Sequence, residues 1–188
     1  MKKTNLLLRG INALVRHTKR NPRDEDVEID GGVTQHVDTK APKQINSNLI
    51  IGFSVEISTL ADADDNEYCG CVYNLNAVLE NGAVKANYKC RDRCACVFEQ
   101  SFRESVRFMR GLYRIVSEYD FAKYNGESCF VSGLPDNYGA CVDIMFASGE
   151  RIYASDNQSN FIPGDAVIKL VDLFESRAIS ISDCRTHN

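Results

Sequence analysis

The chain has 188 residues, of which 44% are hydrophobic and 26% charged, with a formal net charge of −4. This length is enough to bury one core without disulfides or metals, and no apolar run is long enough to span a bilayer. The start MKKTNLLLRG has too short an apolar stretch for a signal peptide. We therefore expect a cytoplasmic protein without a transmembrane segment, whose eight cysteines stay reduced.

The N-terminal region divides into two parts of opposite charge. Residues 1–20 carry six Lys or Arg and no acidic residue, with apolar residues at helical spacing, which predicts a basic amphipathic helix. This helix lacks an aromatic residue that could anchor it in a membrane. We therefore expect it to extend from the domain without contacts or to pack on its own domain. Membrane-surface contact is a weaker alternative, and no nucleic-acid partner is expected. The acidic, glycine-containing residues 21–47 predict a flexible linker.

The folded domain is expected to begin at residue 48 with a strand and a long hairpin. Residues 49–59 alternate as a strand with Ile51, Phe53, Val55 and Ile57 on one face. The following segment, YCGCVYNLNAVLENGAVKANYKCRDRCACVF, is divided by Asn81-Gly82, the dipeptide most suited to a two-residue hairpin turn. This turn predicts that Glu80 pairs with Ala83 and Tyr73 with Cys90.

Five cysteines in this hairpin are predicted to lie on its apolar face. The opposite face would then carry Asn, Lys and Arg side chains, so turn chemistry and hydrophobic pattern agree. A reduced, buried cysteine acts as a small hydrophobic residue, and a core role is the simplest interpretation. Two alternatives remain open: a disulfide between Cys69 and Cys94, and a zinc site, although C-x-C on a strand is not the usual zinc spacing. The zinc ligands would be Cys69, Cys71, Cys94 and Cys96.

The second half repeats the pattern of strands followed by a helix. Ser101 and Glu104 have the spacing of a capping box and predict a helix from there to about Tyr119. A short strand at 129–131 and a hairpin turning at Ser148-Gly149 follow, then a helix over 164–176 and a tail over 177–188. The sequence therefore predicts an α+β domain over 48–176, an antiparallel sheet of about six strands with two helices on one face, in the order β-β-β-α-β-β-β-α.

The second hairpin is predicted to have two apolar faces. A two-residue turn at Ser148-Gly149 would place Val142, Ile144, Phe146 and Tyr153 on one face. Because helices cover only one face of such a sheet, apolar residues on the other face have two interpretations. They are the scattered apolar exposure of an ordinary central strand pair, or they are covered by a second subunit, the N-terminal helix or a ligand. The interface candidates are Cys141, Met145, Ile152 and Ala154.

Catalytic chemistry has little support in the sequence. The three histidines, His17, His36 and His187, lie in the predicted N-terminal helix, linker and tail. A folded domain without histidine excludes Ser-His and Cys-His dyads, and no glycine pattern of a nucleotide-binding loop is present. We therefore expect no enzyme, no catalytic residue and no cofactor.

Turn motifs in the C-terminal half carry one resemblance. The segments Tyr124-Asn125-Gly126, Gly133-Leu134-Pro135-Asp136 and Ala147-Ser148-Gly149-Glu150, with the strands between them, resemble an uncharacterised domain family of Gram-positive gut bacteria. The resemblance covers roughly residues 48–176 and implies domain boundaries but no activity. We expect a non-enzymatic binding or protein-interaction module that self-associates, with a homodimer as one form. The alternative is a zinc- or redox-dependent regulator using the hairpin cysteines.

Overall fold

The computed structural model describes residues 25–29, 32–59, 70–92, 97–133 and 138–185. The helix predicted for residues 1–20 lies outside these ranges. In chain order the elements are β1 (Glu25–Ile29), β2 (Val33–Val37), β3 (Ile50–Ser58), β4 (Val72–Glu80), β5 (Ala83–Arg91), β6 (Val97–Ser105), α1 (Val106–Glu118), a short 3-10 helix (Phe121–Tyr124), β7 (Glu127–Val131), β8 (Ala140–Phe146), β9 (Arg151–Asp156) and α2 (Gly164–Arg185).

The strands described form one sheet in the order β1-β2-β7-β9-β8-β3-β4-β5-β6. Neighbours are antiparallel except β7 and β9, which are parallel. The predicted α+β class is confirmed. The predicted sheet of about six antiparallel strands is wrong, because the described sheet has nine strands and is mixed.

Both α-helices pack on the same face of one half of the sheet. α1 contacts β3 to β6, and α2 contacts β4 to β6 and α1. At the centre of this layer the Phe174 ring lies 6.0 Å from Phe53, 6.1 Å from Phe102 and 5.1 Å from Phe108, between centroids. Such aromatic pairs each add about 0.5–1.5 kcal/mol beyond the burial of their area. The core is therefore one-sided.

The region predicted as a flexible linker contains two strands of the sheet. β1 pairs with β2, and β2 pairs antiparallel with β7 about a hundred residues later in the chain. The linker prediction for 21–47 is therefore wrong over these strands. The prediction was based on local acidity and glycine content. These do not show that a distant strand, β7, supplies main-chain hydrogen bonds to this region.

The helix predicted to start at Ser101 starts later, because residues 97–105 form β6. All nine residues of β6 pair with β5. Ser105 is the N-cap of α1, and no side-chain hydrogen bond caps this helix end. The capping-box interpretation of Ser101 and Glu104 is wrong. Tertiary pairing along β5 overrides a local signal worth about 1 kcal/mol.

The last helix is longer than predicted. Its apolar stripe of Val167, Leu170, Val171 and Phe174 is buried as expected. α2 continues beyond the predicted end at 176 as far as Arg185. The tail predicted over 177–188 is therefore wrong up to that residue, and 186–188 lie outside the described residues.

Polar side chains fasten the segment between β2 and β3 to the sheet. The Asn125 side chain, which is 4% exposed, donates to the carbonyls of Pro42 and Arg151 and accepts from the Tyr153 amide. The Asn125 side chain thereby links the main chain at Pro42 to the main chain of β9 by hydrogen bonds. The Glu150 carboxylate accepts hydrogen bonds from the amides of Asn46 and Ser47 at 2.9 and 3.0 Å.

The first hairpin has the predicted register. Glu80 pairs with Ala83, and Tyr73 pairs with Cys90, around a turn at Asn81-Gly82. Asn81 and Gly82 both have positive φ values, 51° and 77°, which a type I′ turn requires.

The second hairpin is shifted by one residue from its prediction. Its turn contains three residues, since Phe146 donates to the Glu150 carbonyl and Gly149 donates to the Phe146 carbonyl, both at 2.9 Å. Ile144 consequently pairs with Ile152, and Val142 with Ala154. A shift of one residue moves every side chain of a strand to the other face. The side chains of β9 therefore lie on the opposite face of the sheet from the one predicted.

Candidate functional site

The sheet face opposite the helices carries mostly short polar side chains. Across the middle of this face the register aligns Tyr153, Asp143, Ser54, Asn76 and Asn87. The Arg151 guanidinium donates one hydrogen bond to each oxygen of the Asp143 carboxylate, both at 2.7 Å. No described element packs over these residues, so the face is open within the part of the chain that the structure covers.

A second row of residues on the same face has apolar side chains in its centre and cationic side chains at its β6 end. Met145 and Val78 flank Gly52 in register and are 51% and 44% exposed. A Cβ atom on Gly52 would lie 3.5 Å from the Met145 Cβ, so Met145 lies directly beside this glycine. The row continues through Lys85 to Arg103 on β6.

Register divides the four interface candidates between the two faces. Met145 is exposed and Cys141 is half-buried on the open face. Ile152 and Ala154 are each 1% exposed and belong to the helix-covered face. The prediction that these four residues share one surface is wrong, because the three-residue turn inverts β9. An interface at Met145 and Cys141 stays a prediction.

The described hairpin cysteines lie on the helix-covered face, as predicted. Burial, and then the neighbouring Cys71 thiol, raise the pKa of Cys90 from 9.0 to about 12. A thiol with this pKa stays protonated near neutral pH and is a weak nucleophile. Burial also raises the pKa of the adjacent Tyr73 and Tyr88 phenols, and Tyr88 donates to Glu175 at 3.2 Å.

Three of the four predicted zinc ligands lie outside the described residues: Cys69, Cys94 and Cys96. Cys71 is the fourth. No group of three or more His, Cys, Asp or Glu side chains that could hold a metal ion is found among the described residues. The zinc site and the Cys69–Cys94 disulfide therefore stay predictions.

His36 occupies a place in the sheet that the sequence did not indicate. It pairs in β2 with Ser128, which lies beside Ser155, which in turn pairs with Cys141. The premise that the folded domain contains no histidine is therefore wrong. The expectation of a non-enzymatic protein now depends on the sequence's lack of a nucleotide-binding motif, and it stays a prediction.

Among the residues that the structure describes, β6 is a terminal strand of the sheet, and no other strand pairs with its outer side. The two-residue turn makes Glu80 and Ala83 a hydrogen-bonded pair, and bonding alternates along the ladder from there. β5 therefore bonds to β6 through its even-numbered residues, which pair with even-numbered residues of β6. The N–H and C=O groups of the odd-numbered residues then point outward. These are Val97, Glu99, Ser101, Arg103 and Ser105.

Local hydrogen bonds agree with this assignment. The Gln100 side-chain amide donates to the Ser101 carbonyl at 3.0 Å, and the Ser105 amide donates to the Glu104 carboxylate at 3.2 Å. Both main-chain groups belong to odd-numbered residues and are reached by neighbouring side chains of the same strand. Among the described residues β6 pairs only with β5, so its outer main-chain groups have no strand partner.

The side chains of β6 combine exposed apolar groups with charges. Val97 is 55% exposed, and Phe98 is 42% exposed with its ring 5.8 Å from that of Tyr88. The Glu99 carboxylate is 3.2 Å from the Lys89 ammonium. Arg103 is exposed and makes no ion pair in the described part of the chain. The strand therefore presents an acid, a base and two apolar side chains along one free edge.

The described residues form an α+β fold with a mixed sheet in which β6 is a terminal strand. Comparisons with protein-family models, with curated protein sequences and with solved structures find no match to this chain. The resemblance to a domain family of Gram-positive gut bacteria therefore stays a prediction. None of the described helices is long and apolar enough to cross a membrane.

Proposed function

We propose that this protein is a non-enzymatic protein-interaction module that binds an extended strand at β6. The observation that supports this most directly is a nine-residue end strand with Val97 and Phe98 exposed, whose outer side has no strand partner in the described part of the chain. A strand added here would satisfy the outward N–H and C=O groups that side chains of β6 do not already reach, and it would cover apolar surface in the same step. This is the strand-addition mode of recognition, in which main-chain hydrogen bonds supply affinity and side chains supply specificity.

The structure of β6 favours pairing over protection. Natural sheets protect free edges with very short strands, charged side chains on the edge or pointing inward, prolines, bulges or covering segments. Of these devices β6 carries charged side chains, namely Glu99, Arg103 and the inward-facing Glu104. β6 pairs with β5 without a bulge along its whole length and contains no proline. Its charged side chains Glu99 and Arg103 are of opposite sign, so they select a partner rather than repel every strand.

Site-specific photocrosslinking tests this proposal in the cells that naturally make the full chain. Val97 is replaced by p-benzoylphenylalanine, and Ser117, which is exposed on α1, is replaced in a matched control. We expect a protein adduct from position 97 and none above background from position 117. An adduct with another copy of the chain and an adduct with a different protein both support the proposal.

A proline variant links any adduct to the sheet edge. The Ser101 N–H points away from β5, so Ser101→Pro removes an outward donor without removing a bond of the sheet. Ser101→Ala retains that donor and is the control. The adduct should disappear with proline and persist with alanine, while both variants keep the parent's thermal transition. The proposal is overturned if position 97 gives no more adduct than position 117, or if proline leaves the adduct unchanged.

A further inference from the structure

We propose that the strand bound at β6 is β6 of a second copy, paired antiparallel about a two-fold axis at Ser101. This inference rests on the proposed function and names the partner of the same edge. Two-fold pairing uses the same surface on both copies and closes the assembly at two chains. The possible registers differ in which side chains of the two β6 strands face each other.

The outward residues of β6 fix the set of registers. Only odd-numbered residues present main-chain groups to the outside, so a hydrogen-bonded pair must join two odd-numbered residues. With the axis at Ser101, that residue faces its own equivalent. Glu99 faces Arg103 of the second copy, and Val97 faces Ser105 of the second copy. All five outward residues then have partners.

The neighbouring registers leave the charges without partners. An axis at Gln100 places Glu99 opposite Ser101 and Val97 opposite Arg103 of the second copy. An axis at Phe102 places Ser101 opposite Arg103 of the second copy and Glu99 opposite Ser105. The axis at Ser101 is the one among these three that sets opposite charges directly across the new strand pair, and it does so twice by symmetry.

The two charged side chains are arranged for this contact. Both belong to the odd-numbered set and lie on the face opposite the helices. Glu99 is held by Lys89 at 3.2 Å and by the Asn87 amide at 3.2 Å, which orients its carboxylate on the sheet surface. A carboxylate has about four acceptor sites, so it can accept a guanidinium in addition. Arg103 is exposed and available to supply that guanidinium.

The helix-covered face contributes an apolar contact. Phe98 is 42% exposed at the end of β6. With the axis at Ser101, Phe98 faces Glu104 of the second copy and lies diagonally across from Phe102 of the second copy. Diagonal neighbours on adjacent strands are within reach of aromatic side chains. Pairing therefore covers a ring that is half open in the single chain.

Charge reversal tests the register, with the mass of the full chain measured by sedimentation across a concentration series. The unmodified chain should dimerise. Glu99→Arg and Arg103→Glu should each weaken the dimer at least tenfold, because each places like charges opposite one another. An equimolar mixture of the two variants should form a heterodimer, and the double reversal should restore the homodimer. Arg110→Glu, an exposed reversal on α1, is the matched control and should dimerise normally.

Each outcome decides one claim. A chain that stays monomeric at its solubility limit overturns the second copy as partner, while a position-97 adduct with another protein would leave the proposed function standing. A dimer that is sensitive to Ser101→Pro but indifferent to both charge reversals overturns the register. A mixture that forms no heterodimer, although each variant alone is a folded monomer, overturns it too.

Discussion

In the hairpin β4–β5, two residues lie between the closing pair Glu80 and Ala83, whereas in β8–β9 three residues lie between Phe146 and Glu150. Both turns place a glycine in the left-handed region, Gly82 at φ 77° and Gly149 at φ 88°. The three-residue form is a type I turn followed by a left-handed residue, which adds a small bulge. One residue in the turn thus decides which face of the following strand is buried.

The largest expected effect concerns which residue of β9 is buried. Ile152→Ala should lower the free energy of unfolding by about 2–5 kcal/mol, since it opens a cavity in the core beneath the helices. Tyr153→Ala, one residue later on the open face, should cost below about 1 kcal/mol. Denaturant unfolding of both variants measures the difference. A larger loss for Tyr153 than for Ile152 would mean that Tyr153, and not Ile152, lies on the buried face of β9.

The two turn glycines should behave alike despite their different turns. Neither has a heavy atom within 4 Å of an added Cβ, so alanine meets no steric contact at either position. Each Gly→Ala change should still cost about 1–2 kcal/mol, because the left-handed backbone brings Cβ close to a carbonyl oxygen. Gly164→Ala at the start of α2, with equally open space and no positive φ, is the matched control. Thermal unfolding should show little loss for this variant.

The smallest effect on global stability should come from the carboxylate that closes the second turn. Hydrogen bonds from the Asn46 amide and, next, the Ser148 hydroxyl lower the pKa of Glu150 from 4.5. Because the folded-state pKa is depressed, the stabilisation is present above the ordinary glutamate value and is lost as pH falls through the folded value. The first turn has no such attachment to a distant segment in the described structure.

Hydrogen exchange resolves this local effect. Amide protection at Asn46 and Ser47 should fall when Glu150 is protonated, and Glu150→Gln should reproduce much of that loss at neutral pH. Protection at Glu80 and Ala83, the hydrogen-bonded closing pair of the first turn, is the internal reference and should not change in the variant. Unchanged protection at Asn46 in Glu150→Gln would show that the carboxylate does not hold this segment.

The sequence predicted one hairpin correctly and the other incorrectly for a physical reason. Asn-Gly strongly favours a two-residue turn, and the alternation around it has one clearly polar face, so two independent signals agree. Ser148-Gly149 is compatible with loops of two or three residues. Both faces of β8–β9 are partly apolar, so the pattern gave no check on the register.

The elements that were missed depend on distant partners. β6 has polar side chains at two inward positions, Gln100 and Glu104, and it contains the spacing of a helix cap. β2 is recognisable only beside β7, far along the chain. The open edge at β6 follows from the order of strands in the sheet, which no local pattern specifies. Of the predicted surface residues, Met145 is the one whose exposure could be read from its own strand.

The attachment of β2 to β7 has a practical consequence for trimming this protein. A chain shortened to begin at residue 48, where composition places the domain boundary, would lose two strands and turn β7 into a new terminal strand. Phe130 of β7 is already 51% exposed, and the main chain of β7 would also lose its pairing with β2. The described sheet ends in β1 and β6, so this truncation would replace β1 by β7 as one of the two terminal strands. With the β6 pairing proposed above, an exposed apolar edge at β7 should favour chains of molecules over closed pairs.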